Sequence, residues 1–93
     1  MRGLNFLAEL VGTFLFILTI LATGNFVAIG FTLAAIIYLI GNVSGANLNP
    51  AVTLAMFLSG KLDTVRSFGY IFAQLLGSAA AYYSFKYIKS LKG

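Results

Sequence analysis

The chain has 93 residues, 60% of them hydrophobic and 9% charged, and its mean hydropathy of +0.98 is too high for a soluble domain and puts it in a bilayer. Its net charge of +4 comes from basic residues at the ends of apolar segments, not from a stripe, which fits membrane flanking and excludes a nucleic-acid surface. Without Cys or His there is no disulfide framework, no usual ligand set for a metal, and little for nucleophilic or general-base chemistry, so neither enzyme activity nor a cofactor is expected.

The first apolar run predicts a membrane span over about 4–23, with Ala8 and Gly12 four residues apart and open to close helix approach. Arg2 before it and Ala22-Thr23-Gly24 after it also resemble a signal peptide, but roughly eighteen apolar residues exceed a signal core, and Glu9 lies inside the run. A carboxylate there costs ~2.5 kcal/mol or more unless it faces protein or water. The alternative is an interfacial Glu near the helix start. Gly24-Asn25 breaks the chain before a second span over about 26–43, where Ile29, Leu33, Ile36 and Ile40 share one helical face. Taken alone, that stripe faces lipid or core.

Residues 41–48 lack helical periodicity, and irregular backbone at membrane depth is tolerated only against protein or a wet cavity. The carbonyls of Gly45, Ala46, Asn47 and Leu48 therefore meet a partner chain or line a water path. At Asn49-Pro50-Ala51 a helix begins, because Asn49 can accept from the free N–H groups of the first turn and Pro50 suits the first helical position. Ser59-Gly60-Lys61 and Asp63 end it near Leu58, after roughly nine residues and ~14 Å, half of a ~30 Å core. An interfacial loop and amphipathic helix is the competing reading; the apolar character of 51–58 on nearly all sides, broken only by Thr53, opposes it.

A third span is expected over about 65–87. Gly69, Ala73, Gly77 and Ala81 recur every four residues and form a packing ridge, and Gln74 in mid-span needs a hydrogen-bond partner. Tyr82, Tyr83 and Tyr87 beside Lys86, Lys89 and Lys92 make an interfacial anchor. The fold class is thus an all-α membrane protein of three transmembrane helices plus a re-entrant loop and half-helix, as a single unit over 1–93.

The run Ser44-Gly45-Ala46-Asn47-Leu48-Asn49-Pro50-Ala51-Val52-Thr53 resembles the first Asn-Pro-Ala box of the aquaporin and glycerol-facilitator family. The resemblance extends to Ala8-Glu9-Leu10-Val11-Gly12-Thr13-Phe14 and to Gly69-Tyr70-Ile71-Phe72-Ala73-Gln74-Leu75-Leu76-Gly77, so nearly the whole chain is covered. It implies one half of an inverted repeat, with Glu9 holding the loop, Gln74 bracing it, and Ile29, Leu33, Ile36 and Val52 along the pore and its constriction. Ile29 stands where the family has an aromatic residue or its substitute. Val52 occupies the position after the box, which is an Arg in the second box of full-length members, and Asn42 and Asn47 replace residues that are His in many relatives.

Arg2, Lys61 and Arg66 on one side balance Lys86, Lys89 and Lys92 on the other, so charge gives little orientation preference. An antiparallel dimer is the expected pore unit, with four such units as a further option, embedded in the lipid bilayer of the cell membrane as a multi-pass protein. The expected function is a passive channel for water and small uncharged solutes such as glycerol. The alternatives are a non-conducting membrane subunit, a fragment that needs a separate second half, and an ion-coupled carrier for which only Glu9 could serve.

Overall fold

The computed structural model describes residues 2–93, apart from the side chain of Arg2. That side chain, counted in the charge balance above, lies outside the described residues. Four helices follow one another: α1 (Arg2–Thr23), α2 (Phe26–Ser44), α3 (Pro50–Leu58) and α4 (Thr64–Leu91).

Local chemistry sets each boundary. Gly24 takes a positive φ of 54°, and the Asn25 side chain then accepts from the Ala28 N–H at 2.9 Å to start α2. Gly45, at φ 90°, caps the end of α2 with its N–H on the Gly41 carbonyl. Asn49 is the N-cap of α3, its Oδ1 accepting from the Ala51 N–H at 2.8 Å with Pro50 at the first helical position. Asp63 starts α4 by accepting from the Arg66 N–H at 2.8 Å. Here α4 runs one residue earlier and four residues later than the expected third span. Lys86, Lys89 and Ser90 end an apolar run, but they do not interrupt backbone hydrogen bonding, so the helix continues past the hydrophobic boundary.

Helix α1 lies between α2 and α4, and α3 packs on α4. A Cβ on Gly77 would stand 2.5 Å from the Leu10 carbonyl oxygen, so there the backbones of α1 and α4 touch. Gly69 receives the Phe6 ring, and Ala73 and Ala81 are buried on the same side of α4. Gly12 faces the other way, toward Leu48, Ile40 and Ile36.

The interior is as polar as it is apolar: Glu9, Thr13, Ser44, Thr53, Ser67 and Gln74 are buried, while Phe26, Phe31, Phe68 and Phe72 point outward. That reverses the arrangement of a soluble domain. Both α1 and α2 are long and apolar enough to cross a membrane. The longer α4 is diluted by Ser67, Tyr70, Gln74, Ser78, Tyr82 and Tyr83 and falls below them in hydropathy.

Candidate functional site

The site is built around Glu9, which is fully buried on α1. Its Oε1 accepts from the Leu48 N–H at 2.8 Å and from Gln74 Nε2 at 2.9 Å. Its Oε2 accepts from Ser44 Oγ at 2.7 Å and from the Asn47 N–H at 3.0 Å. A carboxylate has about four lone-pair positions, and all are taken by donors. The four donors are all neutral groups.

Backbone conformation follows from that demand. Successive N–H groups of Asn47 and Leu48 can both point at one carboxylate only if the chain curls, and Ala46 and Leu48 accordingly take positive φ values of 49° and 60°. Such conformations cost of order 1–3 kcal/mol each in a residue with a Cβ, and they persist only where the surroundings fix them. Leu48 is 2% exposed, wedged against Gly12, and Ala46 donates its N–H to Ser44 Oγ at 3.1 Å.

The outward face of the loop is the geometric complement of this inward one. A trans peptide sets its C=O opposite its N–H, and no peptide among the described residues is cis. Because the N–H groups of Ala46, Asn47 and Leu48 point at Ser44 or Glu9, the carbonyls of Gly45, Ala46 and Asn47 point away from the protein interior. Asn49 stands exposed at the end of that row. Its oxygen is used by the helix cap, which leaves its amide nitrogen directed elsewhere.

Among the described residues Gln74 makes no hydrogen bond to the loop backbone. It works one layer back, its Nε2 donating to Glu9 Oε1 and also to Thr53 Oγ1 at 2.8 Å, so that one amide ties α1, α3 and α4 together. Asn47 Nδ2 donates to the same Thr53 oxygen at 3.3 Å. Tyr70, one turn before Gln74, donates its hydroxyl to the Ser44 carbonyl at 2.7 Å and fixes the end of α2. Thr13 Oγ1 and Gln74 Oε1 are the buried side-chain atoms without a partner among the described residues.

Of the aliphatic residues named from the sequence, Ile29 and Leu33 are half-buried and Val52 is exposed beside Ala51. Ile36 is different. At 6% exposure it packs with Ala46 and Leu48, with Phe16, Leu33 and Ile40 around them, so within this chain it is a packing residue, with no free surface to give to a wall. Sequence reasoning did not single out Ser44, Thr53 and Tyr70 as members of the network. Their signals were a lone hydroxyl in an otherwise apolar α3 and a tyrosine one helical turn from Gln74.

An apolar exterior, a polar interior clamped round one carboxylate, and carbonyls turned outward beside a helix N-terminus define an all-α membrane protein. Its sequence matches the Major intrinsic protein family over residues 2–91, and the chain belongs to that family. It is similar to glycerol uptake facilitator protein-like 6 of Lactiplantibacillus plantarum, 38% identical over 83% of this chain and 40% of that protein. It is also similar to aquaporin AqpM of Methanothermobacter thermautotrophicus, 46% identical over 67% of this chain and 27% of the relative. Aquaporin A of Dictyostelium discoideum is 53% identical over 55% of this chain and 18% of its own length. The chain thus spans less than half the length of these curated relatives, and all three matches cover only part of them.

Proposed function

We propose that the chain forms a passive channel for water and small uncharged solutes from two copies inserted antiparallel, with their Asn49-Pro50-Ala51 turns meeting at mid-membrane. In this reading α1, α2 and α4 span the bilayer and residues 45–58 enter and leave from one side. The observation that carries it is the row of carbonyls from Gly45 to Asn47 ending at exposed Asn49. Polar backbone directed away from the protein at membrane depth requires water or a complement, and a second inverted copy supplies both.

Each Asn49 keeps an amide nitrogen to donate. A water accepting from both copies loses its neighbours in the file, which interrupts a proton wire. Two half-helix dipoles of about half a positive charge, at ~5 Å and an effective dielectric of 20, oppose a cation by roughly 3 kcal/mol together. Neutral solutes meet no such barrier. With Ile29 and Val52 in the constriction, and neither an aromatic ring nor an arginine, the pore is wider and less selective than one with a charged filter. Water and small polyols such as glycerol are its expected cargo.

Stopped-flow light scattering on proteoliposomes tests this. Shrinkage no faster than in empty liposomes overturns the channel reading. Because the matches cover 40% of a relative or less, a second reading has the complement supplied by a different chain. The intact mass of the complex purified from cells expressing this chain alone separates the two: a self-pair carries twice the chain mass, and the second reading yields none.

A further inference from the structure

We propose that the C-terminal end of α4 binds one anionic phospholipid, its phosphodiester held between Lys86 and Lys89 and its glycerol end and upper acyl chain laid along Tyr82 and Phe85. The proposal rests on α1 and α4 lying in a membrane and not on conduction. Tyr82, Phe85, Lys86, Lys89 and Ser90 line a shallow groove of about 370 Å³ on one face of α4.

Lys86, Lys89 and Lys92 are exposed, and no ion pair reaches any of them among the described residues. The chain has two acids: Glu9 is buried among its four donors, and Asp63 sits at the opposite end of α4 beside Arg66. The helix dipole sets about half a negative charge at this terminus against three positive ones, so the end stays cationic. Its counter-charge has to come from outside the chain.

Depth selects a lipid over a dissolved anion. A Cβ on Gly77 would lie between the Leu10 carbonyl and the Phe14 N–H, level with Gly12 at the middle of α1. From there Lys86 stands ~14 Å and Lys89 ~18 Å along α4 at 1.5 Å per residue, on either side of the edge of a core that reaches ~15 Å from its centre. The headgroup phosphates lie just beyond that edge. Lys89 does not stretch away from them into water: its ammonium lies 5.9 Å from the centre of the Phe85 ring, one turn nearer the core. Folded back in this way it faces the same layer as Lys86. Residues three apart on a helix are neighbours with Cβ atoms about 5–6 Å apart, a spacing that one phosphate bridges.

Toward the core the same face turns aromatic. Tyr82 is one turn before Lys86, and Phe85 one turn before Lys89, so the groove is cationic at its outer end and apolar at its inner end. That order matches a phospholipid taken from headgroup to tail. Inorganic phosphate has nothing to lay along the rings, and a zwitterionic headgroup brings its own cation to the lysines.

Native mass spectrometry of the purified protein, titrated in detergent with phosphatidylglycerol or with phosphatidylcholine of the same acyl chains, tests the site. At about fivefold per lysine beside an anionic headgroup, the pair should favour phosphatidylglycerol by about thirtyfold. Lys86→Gln combined with Lys89→Gln should bring the two lipids within about threefold of each other, with helix content unchanged by circular dichroism. Lys86→Arg with Lys89→Arg should keep the preference, and so should Lys61→Gln, at the other end of α4. Equal affinity of the wild type for both lipids, a preference that survives the double glutamine variant, or displacement of bound phosphatidylglycerol by an equimolar amount of inorganic phosphate overturns the proposal. A chain that shows the preference without speeding liposome shrinkage loses the channel reading and keeps this site.

Discussion

Replacing Glu9 by Gln removes a charge while keeping the shape, and its cost can be worked from the hydrogen bonds. The glutamine oxygen accepts from two of the four donors, and its amide group faces the other two. Turned toward Leu48 and Gln74, that amide opposes a backbone N–H and an NH2, neither of which can rotate away. Turned toward Ser44 and Asn47, it meets a hydroxyl that can swing round to accept, and only the Asn47 N–H is stranded. The second arrangement is cheaper. It loses one charge-assisted bond outright, weakens the others and leaves one donor unpaired, roughly 4 kcal/mol in all at ~1.5–3 kcal/mol per bond to a charged group. Because Ala46 and Leu48 are held in strained conformations, the loop relaxes first and the helices need not unfold. Amide exchange at Asn47 and Leu48 in Glu9→Gln should therefore accelerate by about a thousandfold, at ~1.4 kcal/mol per decade, while the middle of α1 exchanges as in wild type. Water flux should fall with it. Exchange at those two amides within tenfold of wild type would refute the carboxylate's role.

Gly77→Ala sets a methyl against the Leu10 carbonyl and should lower stability by about 2 kcal/mol through overpacking, whereas Gly3→Ala, with open space around it, should leave the thermal midpoint unchanged or slightly raised. Thr13→Val deletes a buried hydroxyl that bonds nothing among the described residues and should be neutral or stabilising by up to ~1 kcal/mol in detergent unfolding. Asn49→Asp retains the helix cap but brings a negative charge to the proposed meeting point; a pH-sensitive dye inside liposomes should report faster proton or cation entry than in wild type, with helix content preserved.

The helices were legible because this sequence alternates sharply between apolar runs and short polar breaks. Asn49 and Pro50 marked the start of α3 and Ser59-Gly60-Lys61 its end near Leu58, whereas residues 41–44, expected to be irregular, continue α2 as its last turn. Glu9 and Gln74 were legible for a related reason: an isolated polar group in a hydrophobic stretch must find a partner. Their pairing with each other and with Thr53 was not, since a one-dimensional pattern says that partners exist and not which ones. The left-handed conformations at Ala46 and Leu48 had no local signal at all. Neither residue type favours positive φ, and the curl arises only when a carboxylate some forty residues earlier in the chain collects two consecutive N–H groups. Ile36 misled for the opposite reason, because one helical face contains both half-exposed and buried positions, and which is which depends on where Leu48 inserts.

That dependence links the two faces of the loop. The N–H groups of Asn47 and Leu48 belong to the same peptide planes as the carbonyls of Ala46 and Asn47, so whatever fixes the inner row fixes the outer one. Outward carbonyls free to rotate would turn inward to find donors, and the polar track would close. Glu9 prevents this by taking the N–H groups of Asn47 and Leu48, and the carboxylate suits the task because it offers four acceptor positions and no donor. A neutral amide offers both and tolerates either rotation. The track on the outside of the loop is therefore only as ordered as the charge on the inside, and a variant that kept the fold but neutralised position 9 should lose carbonyl alignment before it loses a helix.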